Sequence, residues 1–354
     1  MTEFLVNLIA FLGVLLVLVL AHELGHFITA KLSGVTVQEF GVGYPPRLVA
    51  LKYRGTDYSL NLLPLGGFVK LLGEEDPQEP GSFASKRIGT RLLVLGSGPL
   101  MNALLPVVLL SASLLLSRET VVGPVHIEAV AAGSPAEAAG LQVGDILRKI
   151  NDREIRNIRD VGYNIQLNLG SELAVTVQRA SEAKLMRVVP RWNPPPGQGA
   201  TGITIAMPER RVEQVSLSLP DALGTGLRTS FDLLTIFKNG IYSAISARSG
   251  PAITGPIGIA QVTGEVARAG FPPLLEWAAF LSMNLAILNI LPIPMLDGGR
   301  IFFVLLEWVR RGRRVSPERE GLVHLVGFVV LMGLILIVSY YDVLRIFKAE
   351  RLFP

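Results

Sequence analysis

The sequence predicts an α-helical polytopic membrane protein: about four transmembrane helices, a β-hairpin element on the cytoplasmic side, and one inserted α+β domain. Three observations carry this. Half of the 354 residues are apolar and only 18% are charged, a balance typical of membrane proteins that also carry soluble mass. Apolar windows of about 20 residues, the length that crosses a bilayer, fall at roughly 4–30, 92–116, 274–292 and 320–341. Between them lie stretches that alternate polar and apolar letters with glycine and proline punctuation.

The first window is too long for a secretory signal and lacks a basic lead and a cleavage site, so it reads as a retained span. Residues 36–72 follow, with Val35–Phe40, Arg47–Lys52, Tyr58–Leu63 and Gly66–Leu71 as four short strands. The second span carries Gly96-Ser97-Gly98-Pro99-Leu100-Met101-Asn102. Residues 121–207 look soluble, with strands Leu173–Gln178 and Met186–Val189 and a surface loop Asn193–Gly199. Residues 213–247 place Leu223, Leu227, Phe231, Leu234 and Ile236 at helical spacing, which predicts an amphipathic helix on the outer membrane surface or packed on the soluble domain. The expected boundaries are 1–117 for the first part of the membrane core and 118–210 for the inserted domain. A connecting segment at 211–270 leads to the second part of the core at 271–354.

Charge sets the orientation. Lys31, Arg47, Lys52, Arg54, Lys70, Lys86, Arg87 and Arg91 lie between the first two spans, and Arg300, Arg310, Arg311, Arg313 and Arg314 between the last two. The positive-inside rule puts both loops in the cytoplasm and residues 118–270 outside. Only the tail, with Arg345, Lys348 and Arg351, points the other way. The first and third spans then run in the same direction.

Chemistry enters at the end of the apolar run Phe4–Ala21, where His22-Glu23-Leu24-Gly25-His26 begins. Ionisable groups at membrane depth are rare and usually functional. Positions i and i+4 share a helix face, so His22 and His26 can point two imidazoles at one ion. Glu23 is rotated by about 100° and can reach a water on that ion without occupying a coordination site. This is the spacing of the zinc peptidase motif H-E-x-x-H. Catalytic zinc commonly takes three protein ligands, and the chain has no cysteine to supply the third. His126 lies in the soluble-looking segment, and His324 begins the last span as an end-of-helix polar residue. Asp297, in Asn289-Ile-Leu-Pro292-Ile-Pro294-Met-Leu-Asp297-Gly298-Gly299, is the better candidate, with a helix-capping aspartate as the alternative reading of it taken alone. His22 stands 18 residues past Phe4 and Asp297 23 past Leu274, about 27–35 Å along their spans. Two spans with a shared direction put both groups near one membrane face.

Together these motifs resemble the site-2 protease family of intramembrane zinc metalloproteases, in its bacterial form. The resemblance rests on His22–His26, Asn289–Gly299, Gly96–Asn102 and Gly255-Pro256-Ile257-Gly258-Ile259, in that family's order. Residues 133–155 resemble a bacterial PDZ domain, present once. The resemblance implies one zinc ion held by His22, His26 and Asp297, with Glu23 as general base and Asn289 helping to hold the substrate chain. Pro292 and Pro294 of the same motif, and Gly67 and Phe68 of the β-element, are further candidate substrate contacts, the β-element offering an edge to an opened substrate strand. It implies peptide-bond hydrolysis in or near transmembrane helices of other membrane proteins, such as anti-sigma factors or remnant signal peptides, in a bacterial cell membrane. The implied partners are those substrates, the bilayer, and a peptide or C-terminal tail at the PDZ domain. No nucleic-acid signature is present. The alternative function is a non-catalytic membrane scaffold acting through the PDZ domain, which gives no reason for the buried His, Glu and Asp. A transporter with broken helices is a third reading, without the matching halves transporters often show.

Overall fold

The computed structural model describes residues 2–74, 79, 81–246 and 255–347; Lys348 and Arg351 of the basic tail lie outside them. In chain order come α1 (Thr2–Leu32), β1 (Val37–Tyr53), β2 (Thr56–Leu71) and α2 (Ile88–Leu115). Then follow β3 (Arg118–Val122), β4 (Val125–Val130), α3 (Pro135–Ala138), β5 (Ile146–Ile150), β6 (Arg153–Glu154), α4 (Ile158–Leu167), β7 (Leu173–Arg179), β8 (Glu182–Val188), β9 (Ile203–Ala206) and β10 (Arg211–Val215). Last are α5 (Leu219–Ser246), α6 (Pro256–Arg268), α7 (Phe271–Ile290), α8 (Asp297–Val309) and α9 (Pro317–Phe347). Two compact units result: Met1–Ser113 with Ala222–Ser230 and Ile253–Pro354, and Leu114–Asp221 with Phe231–Ala252.

In the first unit, α1, α2, α7 and α9 are long and apolar enough to cross a membrane. Small and polar residues bring them together, as expected where lipid removes the hydrophobic drive between helices. Gly25 of α1 lies so close to the Ser97 carbonyl of α2 that a Cβ would overlap it. Ser282 of α7 donates to the Asn102 carbonyl at 2.8 Å. Trp277 Nε1 donates to Thr263 of α6 at 2.9 Å. The buried Asp342 of α9 accepts the Gly258 N–H at 2.9 Å, at the start of α6, where Gly255 leaves it room. Arg91 and Glu307 form a buried ion pair at 2.6 Å. The segment expected only as a connection thus contains α6, whose first turn is the Gly255–Ile259 motif.

The β-element corrects the expectation of four short strands. It is two long strands turning at Arg54-Gly55, both at positive φ. Positive φ at both central positions suits the right-handed twist of a tight hairpin. Val37–Val42 pairs with Gly67–Leu71 on one edge, and Glu39–Val42 lies beside Asp57–Leu60 on the other, with both numbers rising together; Arg47–Tyr53 pairs with Thr56–Asn61. Each strand bends at a positive-φ glycine, Gly43 or Gly66, without ending. The punctuation that suggested strand ends marks bends. Beyond them Leu48, Leu51 and Tyr53 are exposed.

The second unit has a sheet in the order β8-β7-β5-β4-β9, with β6 on β5 and a separate β3–β10 ribbon. Its core is Val125, Ile127, Leu147, Ile150, Leu173, Val175 and Val177, from alternate positions along β4 and β7, with a register shift in β5 between Leu147 and Ile150. Ser134 caps α3 by accepting the Glu137 N–H, while Glu137 accepts the Gly133 N–H, a reciprocal arrangement that satisfies two otherwise unpaired donors. The unit reaches beyond 118–210 because the second half of α5 is tied to it. Asp232 pairs with Arg153 at 2.8 Å and accepts from the Tyr163 hydroxyl, and Asn239 donates to the terminal carbonyls of α4 at Gln166 and Leu167.

Candidate metal centre

His22 and His26 stand one turn apart on α1, their Nε2 atoms 3.1 Å from each other. Asp297 Oδ2 lies 3.0 Å from the first and 3.3 Å from the second. Donor atoms about 2.0–2.1 Å from a tetrahedral zinc stand about 3.3 Å apart, so the triangle has the size of one face of such a site. Its electrostatics favour positive charge between the donor atoms. The His26 Nδ1–H donates to the Val94 carbonyl at 2.8 Å, which leaves a lone pair on Nε2 of the neutral ring. Asp297 Oδ2 is buried and accepts no conventional hydrogen bond among the described residues. Two lone-pair atoms therefore face each other across 3.3 Å, a repulsive contact unless a positive charge joins them. The residues fit a divalent metal.

Glycines make the triangle possible. A Cβ at Gly98 would overlap the imidazoles of both His26 and His22, so α2 can pass beneath them only there. Asp297 is the first residue of α8, reached after the break at 291–296. A Cβ at Gly298 would overlap the Leu291 carbonyl oxygen, and one at Gly299 would lie 2.5 Å from that of Ile293. The Asp-Gly-Gly sequence thus lets α8 start folded back against the end of α7.

A cavity of about 210 Å³ opens on the triangle, lined by Glu23, Tyr44, Gly67, Phe68 and Arg300 among others. The Val69 backbone N–H is turned to the Glu23 carboxylate. Asn289 brings its Nδ2 to 3.5 Å from His22 Nδ1. The structure therefore assembles His22, Glu23, His26, Asn289, Asp297, Gly67 and Phe68. Three candidates do not line the cavity: Asn289 reaches it only through His22, Pro292 is exposed, and Pro294 packs on Gly327 of α9.

Three contributors were given no role at the site by the sequence reading. Asn102, 1% exposed, places Nδ2 3.5 Å from His22 Nδ1. Arg300 is paired with Glu74 in a wall shared with a neighbouring cavity of about 260 Å³. His324 accepts the Met295 N–H at 2.8 Å and so braces the loop before Asp297. The Gly98-to-Asn102 spacing of four, one helical turn, was the available signal for the first; pairing across the chain carries none for the others.

A model of peptidase family M50 matches residues 10–334. A proposed zinc metalloprotease of Clostridium acetobutylicum is 33% identical over 92% of this chain and 94% of its own length. Zinc metalloproteases RasP of Oceanobacillus iheyensis and Geobacillus kaustophilus are each 29% identical, over 96% and 98% of this chain and 99% and 100% of their own lengths.

Proposed function

We propose that this chain, which belongs to peptidase family M50, holds one zinc ion between His22, His26 and Asp297 and cuts peptide bonds in or near the membrane-spanning helices of other proteins. It is a multi-pass membrane zinc metalloendopeptidase of the site-2 protease type. The convergence of three donor atoms within 3.3 Å carries the assignment of the ligands.

When bound, zinc supplies a Lewis acid that polarises a carbonyl and acidifies water. Three protein ligands leave a fourth position for the reacting groups. Glu23 takes the proton of the attacking water and passes it to the leaving amine, its carboxylate held by the Val69 N–H. Asn289 offers an amide N–H to the scissile carbonyl. The Gly67-Phe68 edge of β2 holds the unwound substrate as an added strand. Pro292 and Pro294 keep the α7–α8 link irregular, which is tolerated at membrane depth where it is buried in protein or borders a wet cavity.

Residues 118–210 serve as a PDZ domain on the outer side of a bacterial cell membrane, with the active site toward the cytoplasm, as the basic loops support. That domain captures a peptide or C-terminal tail, or screens substrates by size. The exposed apolar stripe Leu219, Leu223, Leu227 and Phe231 of α5 rests on the membrane surface. Substrates are single-span proteins already shortened by a first cut, of the anti-sigma factor or remnant signal peptide kind.

The test uses the full chain in proteoliposomes with a tagged single-span substrate. Glu23→Gln is expected to retain zinc while cleavage falls by about a thousandfold. Asp297→Ala is expected to lose both. Full zinc occupancy in the Asp297→Ala protein would remove Asp297 from the ligand set.

A further inference from the structure

We infer that Asn102 sets the tautomer of His22 and so decides whether Nε2, the ring nitrogen turned to Asp297, carries a free lone pair. This rests on the zinc site proposed above.

The two histidines are held differently. His26 meets a backbone carbonyl, which can only accept, so its Nδ1 must carry the hydrogen. His22 Nδ1 instead faces two side-chain amides, Asn102 and Asn289, each at 3.5 Å. An amide can present either its oxygen or its NH₂, and the surroundings decide which. If both presented NH₂, Nδ1 would have to accept. The ring hydrogen would then sit on Nε2, aimed at Asp297 Oδ2 3.0 Å away, and His22 would have no lone pair for a metal. One of the two amides must present oxygen.

The surroundings select Asn102. The residue is 1% exposed, and its Oδ1 is buried without a hydrogen-bond partner among the described residues. Turning the amide end for end brings that oxygen to the Nδ1 of His22, which satisfies it and fixes the hydrogen there. Asn289, at the end of α7, is only half-buried and keeps its NH₂ for a substrate carbonyl. Asn102 also lies one turn beyond Gly98 on α2, on the face that meets α1. The Ser282 hydroxyl anchors its backbone carbonyl. It touches neither metal nor reacting atoms in this arrangement and is a positioning residue.

The chain has four histidines, so ¹⁵N-histidine labelling of the full-length protein in detergent, stripped of zinc at pH 8, resolves each ring. The wild type is expected to show His22 with its hydrogen on Nδ1. Asn102→Leu is expected to move it to Nε2 and to weaken zinc binding by roughly 10- to 100-fold in chelator competition. Asn102→Asp, which can only accept, is expected to restore the Nδ1–H form. A wild-type ring protonated on Nε2 overturns the inference, whether or not the leucine variant folds. So does an Asn102→Leu protein that loses zinc with its His22 tautomer unchanged, or one that changes in neither respect. The ring spectrum is read without zinc, so failure of the ligand assignment, seen in Asp297→Ala, is distinguishable from failure here.

Discussion

The two units differ in what lies beneath their surfaces, although both bury apolar clusters. Around the sheet of the second unit the interior is valine, leucine and isoleucine, and residues such as Val125, Leu173 and Val177 have no exposed surface. The first unit turns its large apolar residues outward: Leu325, Val330 and Leu336 of α9 are more than half exposed. It hides Asn102, Thr263, Ser282, Asp342 and the Arg91–Glu307 pair. Water drives apolar groups inward; lipid does not, so helices there meet through small residues and hydrogen bonds. An interior already built from polar contacts is where two imidazoles and a carboxylate can be placed with partners.

That contrast can be broken at its closest approach. Gly98→Ala places a methyl group on the His26 imidazole and is expected to lower cleavage by at least about a hundredfold, since displacements of about 1 Å at a reacting centre have that effect. Gly96→Ala, two residues away in open space, is expected to leave zinc content and activity near wild type. Equal loss in both would show that α2 tolerates no added bulk anywhere, and the crossing would not be special.

Leucine truncation sharpens it next. Leu147→Ala, in the sheet core at 1% exposure, is expected to destabilise the second unit by about 3 kcal/mol. Leu336→Ala, 65% exposed on α9, is expected to change unfolding of the detergent-solubilised protein by less than about 0.5 kcal/mol. Urea titration followed by hydrogen exchange in each unit separates the two.

The smallest effect is a pH dependence confined to the second unit. Burial alone would raise the Asp145 carboxyl, but the Arg179 guanidinium at 2.7 Å and the Gln142 N–H together hold it below its ordinary value. A group whose folded pKa is depressed contributes stability above its unfolded pKa of about 4 and loses it as pH falls through the folded value. Exchange protection in 125–206 should therefore fall in acid below about pH 4, and Asp145→Asn should flatten that part of the profile. An unchanged profile in the variant would remove Asp145 as the source.

Legibility followed the same division. The four apolar windows lie within a few residues of the long helices because a run of about 20 apolar letters has few other uses. Residues 133–155 were located by their resemblance to a known domain type; Ser134 indeed caps a helix there. His22, His26 and Glu23 were readable as a local helical pattern. Asp297 needed the extra argument of depth, since nothing local ties it to α1. Asn102 stood in a quoted motif but without a role, and the Glu74–Arg300 pair was not readable, because both act through contacts between residues far apart in sequence. The bends at Gly43 and Gly66 misled, since a glycine that ends a strand and one that bends it look alike.

Asp297 belongs to the last fifth of the chain, while both imidazoles belong to its first tenth. At roughly 5–20 residues per second, on the order of tens of seconds of translation separate them. Until α8 has emerged from the ribosome, a nascent chain inserted among other membrane proteins holds the two imidazoles without the carboxylate that closes their triangle.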